Sequence, residues 1–221
     1  MLEHDGSGRQ SFTRAQEQGT LPTSSAAGYG KLRRVPLSLR LGFLTEGSAR
    51  LRALLPPSHV ATGLPASVAA LTVVGGDGKT LKRGAKRLLP ARGVAGKVYG
   101  GKVLVAFLPR EGVAVARAAE PDGERNECRL VPQVVAHTRQ VVSGPRLWVV
   151  DRQFCDLGQT AQWSEDGEHF LIRSQPKVHF HREWTPPAQE TQDASGRIIR
   201  EDWGGLGAET DARRRCVRRL T

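Results

Sequence analysis

Two aspartates in this sequence stand where a carboxylate can do chemistry. Asp77 follows the apolar run VAALTVV (68–74) and its exit glycines Gly75 and Gly76, and Asp151 follows the run RLWVV (146–150). Strand ends in α/β sheets gather functional groups, because the sheet holds them rigidly at the mouth of a crevice. Two aspartates on adjacent strands can share Mg2+ (or Mn2+), a hard cation that takes oxygen ligands and keeps waters. Two such ions activate a nucleophile and stabilise the leaving oxygen of an in-line phosphoryl displacement. Between the aspartates, from Lys79 to Lys102, lie eight Lys or Arg and no acid. Lys79, Lys82, Arg83, Lys86 and Arg87, with Arg152 beside the second aspartate, are the candidates to hold a phosphate backbone. The plainer readings stay open: an Asp-Gly after a strand is commonly a turn, and Asp151 can pair with Arg152.

The elements that must position these residues follow from pattern. Residues 68–74, 102–108 and 113–119 read as strands, the last two joined by a short turn as an antiparallel hairpin. Leu130, Val131, Val134, Val135, Thr138, Val141 and Val142 repeat at helical spacing, with Pro132 tolerated in the first turn. Residues 146–150 form a buried strand. Asp156 caps a helix that runs to about Glu165 and stops at Gly167, and 169–173 form another strand. The first three strands are hairpin-linked and the later ones alternate with helices, so the fold class is α/β with a mixed sheet.

Outside that core, residues 1–30 are rich in Gly, Ser, Thr and Gln with sparse aliphatics and read as disordered or unrelated sequence. Residues 31–60 look like a helical remnant, with Thr45 or Ser48 capping a short helix ahead of Pro56. The core spans 61–175. Residues 176–221 look like the start of a β-rich insertion, in strands such as KVHFHREW, GRIIREDW and RRCVRRL. The net charge of +11 points to a polyanionic partner, DNA first. No stretch is apolar enough for a membrane span, and three scattered cysteines fit a reducing cytoplasm. No small-molecule cofactor is indicated.

The segments VVGGDGKTLKRGAKRL, DGERNECRLVPQVV and above all LWVVDRQFCD followed by EHFLIR resemble the DDE-type insertion-sequence transposases, in the branch with a β insertion after the second aspartate. The resemblance runs from about residue 31 onward. It implies an RNase H-like mixed sheet flanked by helices and a Mg2+-dependent DNA cleavage and strand-transfer activity. The partners it implies are DNA, as element ends and as target, and a second copy of the chain in a homodimer. Asp77 maps to the family's Asp-Gly motif. Asp151 maps to its Asp-Arg-x-Phe motif, with Arg152 and Phe154 completing it. The family's third carboxylate lies in a Tyr-x2-Arg-x3-Glu-x6-Lys pattern that neither Tyr29 nor Tyr99 satisfies. The expectation is therefore an incomplete, truncated copy that binds DNA and is catalytically inactive.

Other features invite chemistry less strongly. The run GDGKT suggests a nucleotide-binding P-loop, but the spacing requires a glycine where Val73 stands. His179 and His181 share a strand face without an evident third metal ligand. Trp148 reads as core, while Trp184 and Trp203 could stack on bases. Arg213, Arg214, Arg215, Arg218 and Arg219 either meet phosphates or form an exposed strand end. Glu127 is either an accessory acid near the metals or a helix cap.

Overall fold

The computed structural model describes residues 8–20, 22–54, 66–80, 101–120 and 122–221. Lys82, Arg83, Lys86 and Arg87 lie outside the described residues. The chain divides into two units, Met1–Leu44 and Thr45–Thr221, a different partition from the boundaries at 30, 60 and 175 that composition suggests.

In the first unit, the expectation of disorder over 1–30 gives way to helices: α1 (Gly8–Glu17) and α2 (Ser25–Arg34). The signals were local. Arg, Gln, Ala and Glu favour helix without any core to serve, and the Ser24 hydroxyl caps α2 by accepting from the Ala27 N–H at 3.2 Å. Helix α3 (Leu37–Leu54), whose residues from Thr45 on belong to the second unit, begins just after Pro36 and is longer than the short helix expected before Pro56. Ser48 is not its cap. It lies buried within the helix and donates its hydroxyl proton to the Ala114 carbonyl.

In the second unit, a turn of helix, α4 (Ala66–Ala69), precedes five strands of one sheet: β1 (Thr72–Thr80), β2 (Lys102–Leu108), β3 (Val113–Glu120), β4 (Arg146–Val150) and β5 (His169–Ile172). Their order is β3-β2-β1-β4-β5. β2 pairs antiparallel with both β1 and β3, whereas β4 lies parallel to β1 and β5 parallel to β4. Helix α5 (Val131–Val141) connects β3 to β4 and α6 (Leu157–Glu165) connects β4 to β5. This is a mixed α/β sheet flanked by helices, with the strand order and senses expected of an RNase H-like fold. Pro132 sits in the first turn of α5, where its missing N–H costs nothing. Asp156 caps α6 by accepting from the Gln159 N–H, and Gly167 ends it with φ +70°.

One face of the sheet carries the core. Val74, Leu104, Ala106 and Trp148 pack there with Leu130, Val131, Val134 and Val135 of the α5 segment. Trp148 stacks on Trp163 of α6, ring centroids 5.5 Å apart. Glu168 is buried beneath them and accepts from Trp148 Nε1 at 2.7 Å, Arg139 Nε at 3.1 Å and Arg146 Nε at 2.6 Å. Burial pushes this carboxyl up, but the bonds from Arg139, Trp148 and Arg146 outweigh that, and the net shift is downward.

A second sheet follows, built from β6 (Phe180–Arg182), β7 (Gln189–Gln192), β8 (Ile198–Leu206) and β9 (Arg215–Leu220). β8 pairs antiparallel with each of the other three. β7 had no counterpart in the sequence reading: its four residues are polar and all exposed.

Candidate active site

Asp77 does not follow a strand that ends at glycine; it lies inside β1, which runs on to Thr80. The ladder to β2 continues from Gly75 opposite Phe107 through Thr80 opposite Lys102. The glycines serve close approach here, not flexibility. A Cβ on Gly75 would overlap the Phe107 ring, one on Gly76 would lie 2.8 Å from Val150 Cγ1, and one on Gly78 would overlap the Glu127 carboxylate. The same ladder disposes of the P-loop reading. Gly78, Lys79 and Thr80 are paired in extended backbone with Leu104, Val103 and Lys102, so they cannot wrap a phosphate.

Asp151 stands where the sequence put it, directly after β4. In the parallel register of β1 and β4, the last matched pair is Gly76 with Val150. Asp77 and Asp151 are the next residue on each strand, so their backbones lie about one strand spacing, roughly 5 Å, apart. Alternation sends Asp77 to the face opposite Gly76 and Gly78, away from the core. Both aspartates are exposed. Asp151 accepts from the Arg152 N–H at 2.6 Å and pairs with Arg173 at 2.9 Å.

Cations share this face. Lys79 lies two residues beyond Asp77 on the same side of β1, exposed and without an ion pair to any described residue. Arg117 stands opposite Val105, which stands opposite Asp77, so one cross-strand row joins Arg117 to the aspartate. Arg117 Nε is buried and unpartnered among the described residues. Arg152 is exposed, and its guanidinium makes no ion pair with a described residue. The sequence reading missed Arg117 and Arg173. Arg173 was visible only as a strand end, and the position of Arg117 depends on a register that spans three strands.

Glu127 is not a cap. Asn126 does that work, accepting from the Cys128 N–H at 3.0 Å, and Glu127 is buried, its carboxylate against Gly78. The Cys128 thiol beside it is pushed up by burial, then by the negative charges of Glu127 and Asp156, with Lys102 opposing.

The remaining candidates separate. His179 and His181 are 6.3 Å apart and both exposed. Among the described residues no group of three His, Cys, Asp or Glu is arranged to hold a metal ion. Trp148 is core at 2% exposure, Trp203 is partly exposed, and Trp184 is 78% exposed with Arg182 4.7 Å above its ring. The C-terminal arginines mostly have partners inside the protein. Arg213 pairs with Asp211, Arg215 with Glu165, Arg218 with Glu201 and Arg219 with Asp202. All three cysteines are free thiols. No described helix is long and apolar enough to cross a membrane.

No protein-family model matches the chain, and no curated protein matches it. Among solved structures, it is similar to a piggyBac transposase determined by cryo-EM as a synaptic complex with hairpin DNA. The TM-score is 0.32 and the identity 12%, over 64% of this chain and 34% of that one. The chain thus spans about a third of the length of that protein. At this similarity the description of the fold rests on the strand order itself.

Proposed function

We propose that this chain is a DNA-binding protein of the transposase kind, with Asp77 and Asp151 as the ligands of Mg2+ (or Mn2+) in phosphodiester cleavage and strand transfer. The observation that carries the reading is the register: the two aspartates each follow directly on Gly76 and Val150, the last matched pair of the parallel neighbours β1 and β4. The donor set suits the ion, since exposed carboxylates are hard oxygen ligands and leave room for retained waters. Bound there, the cation supplies charge neutralisation at the reacting phosphate. The chain's own part is to hold DNA. Arg173 pairs with Asp151, Lys79 shares the strand face of Asp77 and Arg117 its cross-strand row, Arg152 follows Asp151, and Lys82, Arg83, Lys86 and Arg87 extend the positive charge along the sequence.

The Tyr-x2-Arg-x3-Glu-x6-Lys acid of the resembling family has no match in these residues. The chain is therefore proposed to bind DNA, as element end or target, without completing strand transfer by itself. A homodimer and a cytoplasmic location belong to the same proposal. The test is DNA nicking and strand transfer in Mg2+ or Mn2+, for the chain as it stands and for Asp77→Ala and Asp151→Ala. DNA binding that weakens steeply with salt, and no strand transfer in any version, is the expected result. Absence of DNA binding at low salt would overturn it.

A non-catalytic DNA-binding role is the second reading. The observation favouring it is the Asp151–Arg173 ion pair, which already satisfies one of the two acids. Cation binding that is unaffected by Asp77→Ala would decide for it.

A further inference from the structure

We infer that the groove between the start of α5 and the first turns of α6 binds an amino-bearing nucleobase, adenine first among them. This rests on the DNA-binding part of the function proposed above, which supplies the base, and is independent of the cation. The groove encloses about 470 Å3 and is open to solvent. Small-molecule sites run from roughly 300 to 1,000 Å3. Its two walls differ in chemistry. One is apolar: Val131 and Pro132 from the first turn of α5, Cys128 just ahead of them, and the largely buried Phe154. The other is polar: Asp156, Gln159 and Gln162, spaced three apart, form one stripe along α6. The Cys128 thiol donates to the Gln153 carbonyl at 3.1 Å and so ties the start of α5 to the loop ahead of α6.

The polar stripe is short of partners. One Asp156 oxygen accepts from the Gln159 N–H at 3.0 Å, and the carboxylate forms no ion pair with a described residue. The side-chain amides of Gln159 and Gln162 make no hydrogen bond to a described residue. These groups limit the ligand. An anion is disfavoured, because the negative charges of Asp156 and of buried Glu127 both bear on the Cys128 thiol. A wholly apolar ligand would strand a carboxylate and two amides. A guanidinium or an ammonium would answer the carboxylate but has no acceptor for the amide N–H groups. A nucleobase has apolar faces and carries donors and acceptors along its edges. Adenine sets an amino group beside a ring nitrogen, which matches a carboxylate beside a glutamine, and its two rings cover more of the apolar wall than cytosine does. Thymine flanks its N–H with carbonyls, which the carboxylate would repel.

The groove opens beside the proposed DNA site. Phe154 and Asp156 follow closely on Asp151, and the turn between them is tight, with the Phe154 N–H donating to the Asp151 carbonyl at 3.0 Å. A base turned out of the stack near a phosphate at Asp151 therefore has a groove within reach. A free adenine nucleotide would meet the same walls.

The experiment uses the full chain and single strands of deoxyadenosine or of thymidine of equal length. Binding is followed by fluorescence anisotropy over a salt series. Alkylation of Cys128 by iodoacetamide is read by peptide mass spectrometry, with the exposed Cys216 as reference. Wild type should prefer the deoxyadenosine strand by about fivefold or more, and that strand should slow alkylation of Cys128 more than the thymidine strand does. The double variant Gln159→Leu, Gln162→Leu should lose the preference while keeping the melting temperature and the salt slope of wild type. Equal binding of the two strands by wild type, or equal protection of Cys128, overturns the inference and leaves DNA binding standing. A preference that survives in the double variant overturns it as well. Protection by adenosine monophosphate without protection by the deoxyadenosine strand overturns DNA as the source of the base. If neither strand binds at low salt, the inference and the proposed function fall together.

Discussion

The two sheets of the second unit handle charge in opposite ways. On β6–β9 the arginines and acids neutralise one another. Asp202 faces Arg182, Arg200 and Arg219, Asp193 pairs with Arg197, Asp211 with Arg213, and Glu201 with Arg218. On the outer face of β1–β5, Asp77 and Lys79 have no ion pair with a described residue, while Asp151 at the end of β4 pairs with Arg173. Paired charges stiffen a fold but have little left for a ligand. Unpaired ones contribute little to stability and are free to bind. Under the proposed function the first sheet offers the charges left free to bind, whereas the second keeps most of its charge paired within itself.

The comparison breaks most decisively at the aspartates. Replacing Asp77 or Asp151 with Ala should lower Mn2+ affinity by more than about 100-fold, since loss of a direct ligand exceeds the loss of an outer-shell partner. Asp211→Ala, on the other sheet, should leave it unchanged; a titration followed by EPR reads both. Next is the compensated acid of the core. Glu168→Ala strands two arginines and should cost about 3 kcal/mol in urea unfolding. Because the folded pKa of Glu168 is depressed, its contribution is present above the ordinary carboxylate range and is lost as pH falls through the lower folded value. Wild type and Glu168→Gln should therefore converge in stability in acid and diverge towards neutrality, and a constant gap would refute the sign.

Smaller effects sharpen the contrast. Gly78→Ala forces a methyl into the Glu127 carboxylate and should cost about 1–3 kcal/mol, as overpacking does. Glu127→Ala in the same chain should restore most of that, and a double-mutant cycle with no coupling would contradict the contact. Least of all, Lys79→Ala should reduce the slope of log DNA affinity against log salt by roughly one. Arg213→Ala, already neutralised by Asp211, should leave the slope as it is.

What could be read from the sequence was whatever is encoded locally. The β2–β3 hairpin, the proline-led start of α5, β4 with Asp151 at its end, and the Asp156 cap with its glycine stop all declare themselves within a few residues, and the structure has them. β1 misled because its glycines look like punctuation. They are spaces for Phe107, Val150 and Glu127, side chains supplied from 30 or more residues away in some cases and far more in others, so no window contains the reason. The N-terminal helices were missed because sparse aliphatics argue against a core but not against a helix. Glu168 did not stand out in the sequence, since its importance comes from Arg139, Arg146 and Trp148 converging on it. At the candidate site, the two aspartates were legible from motif and pattern. Arg117 and the burial of Glu127 needed the cross-strand register.

β8 has a consequence for how this protein comes apart. It is nine residues long, and among the described strands of its sheet it alone pairs with all the others. β6, β7 and β9 are hydrogen-bonded to β8 and not to each other. Each can detach without disturbing the rest, so their amides should exchange with solvent in independent local openings. The amides of β8 are covered on one edge by β6 and β7 and on the other by β9, and they exchange freely only when the sheet is dismantled. A chain cut within β8 would break into the strand on which all three pairings depend, whereas a cut in the β7–β8 turn would leave β8 and β9 paired on one fragment.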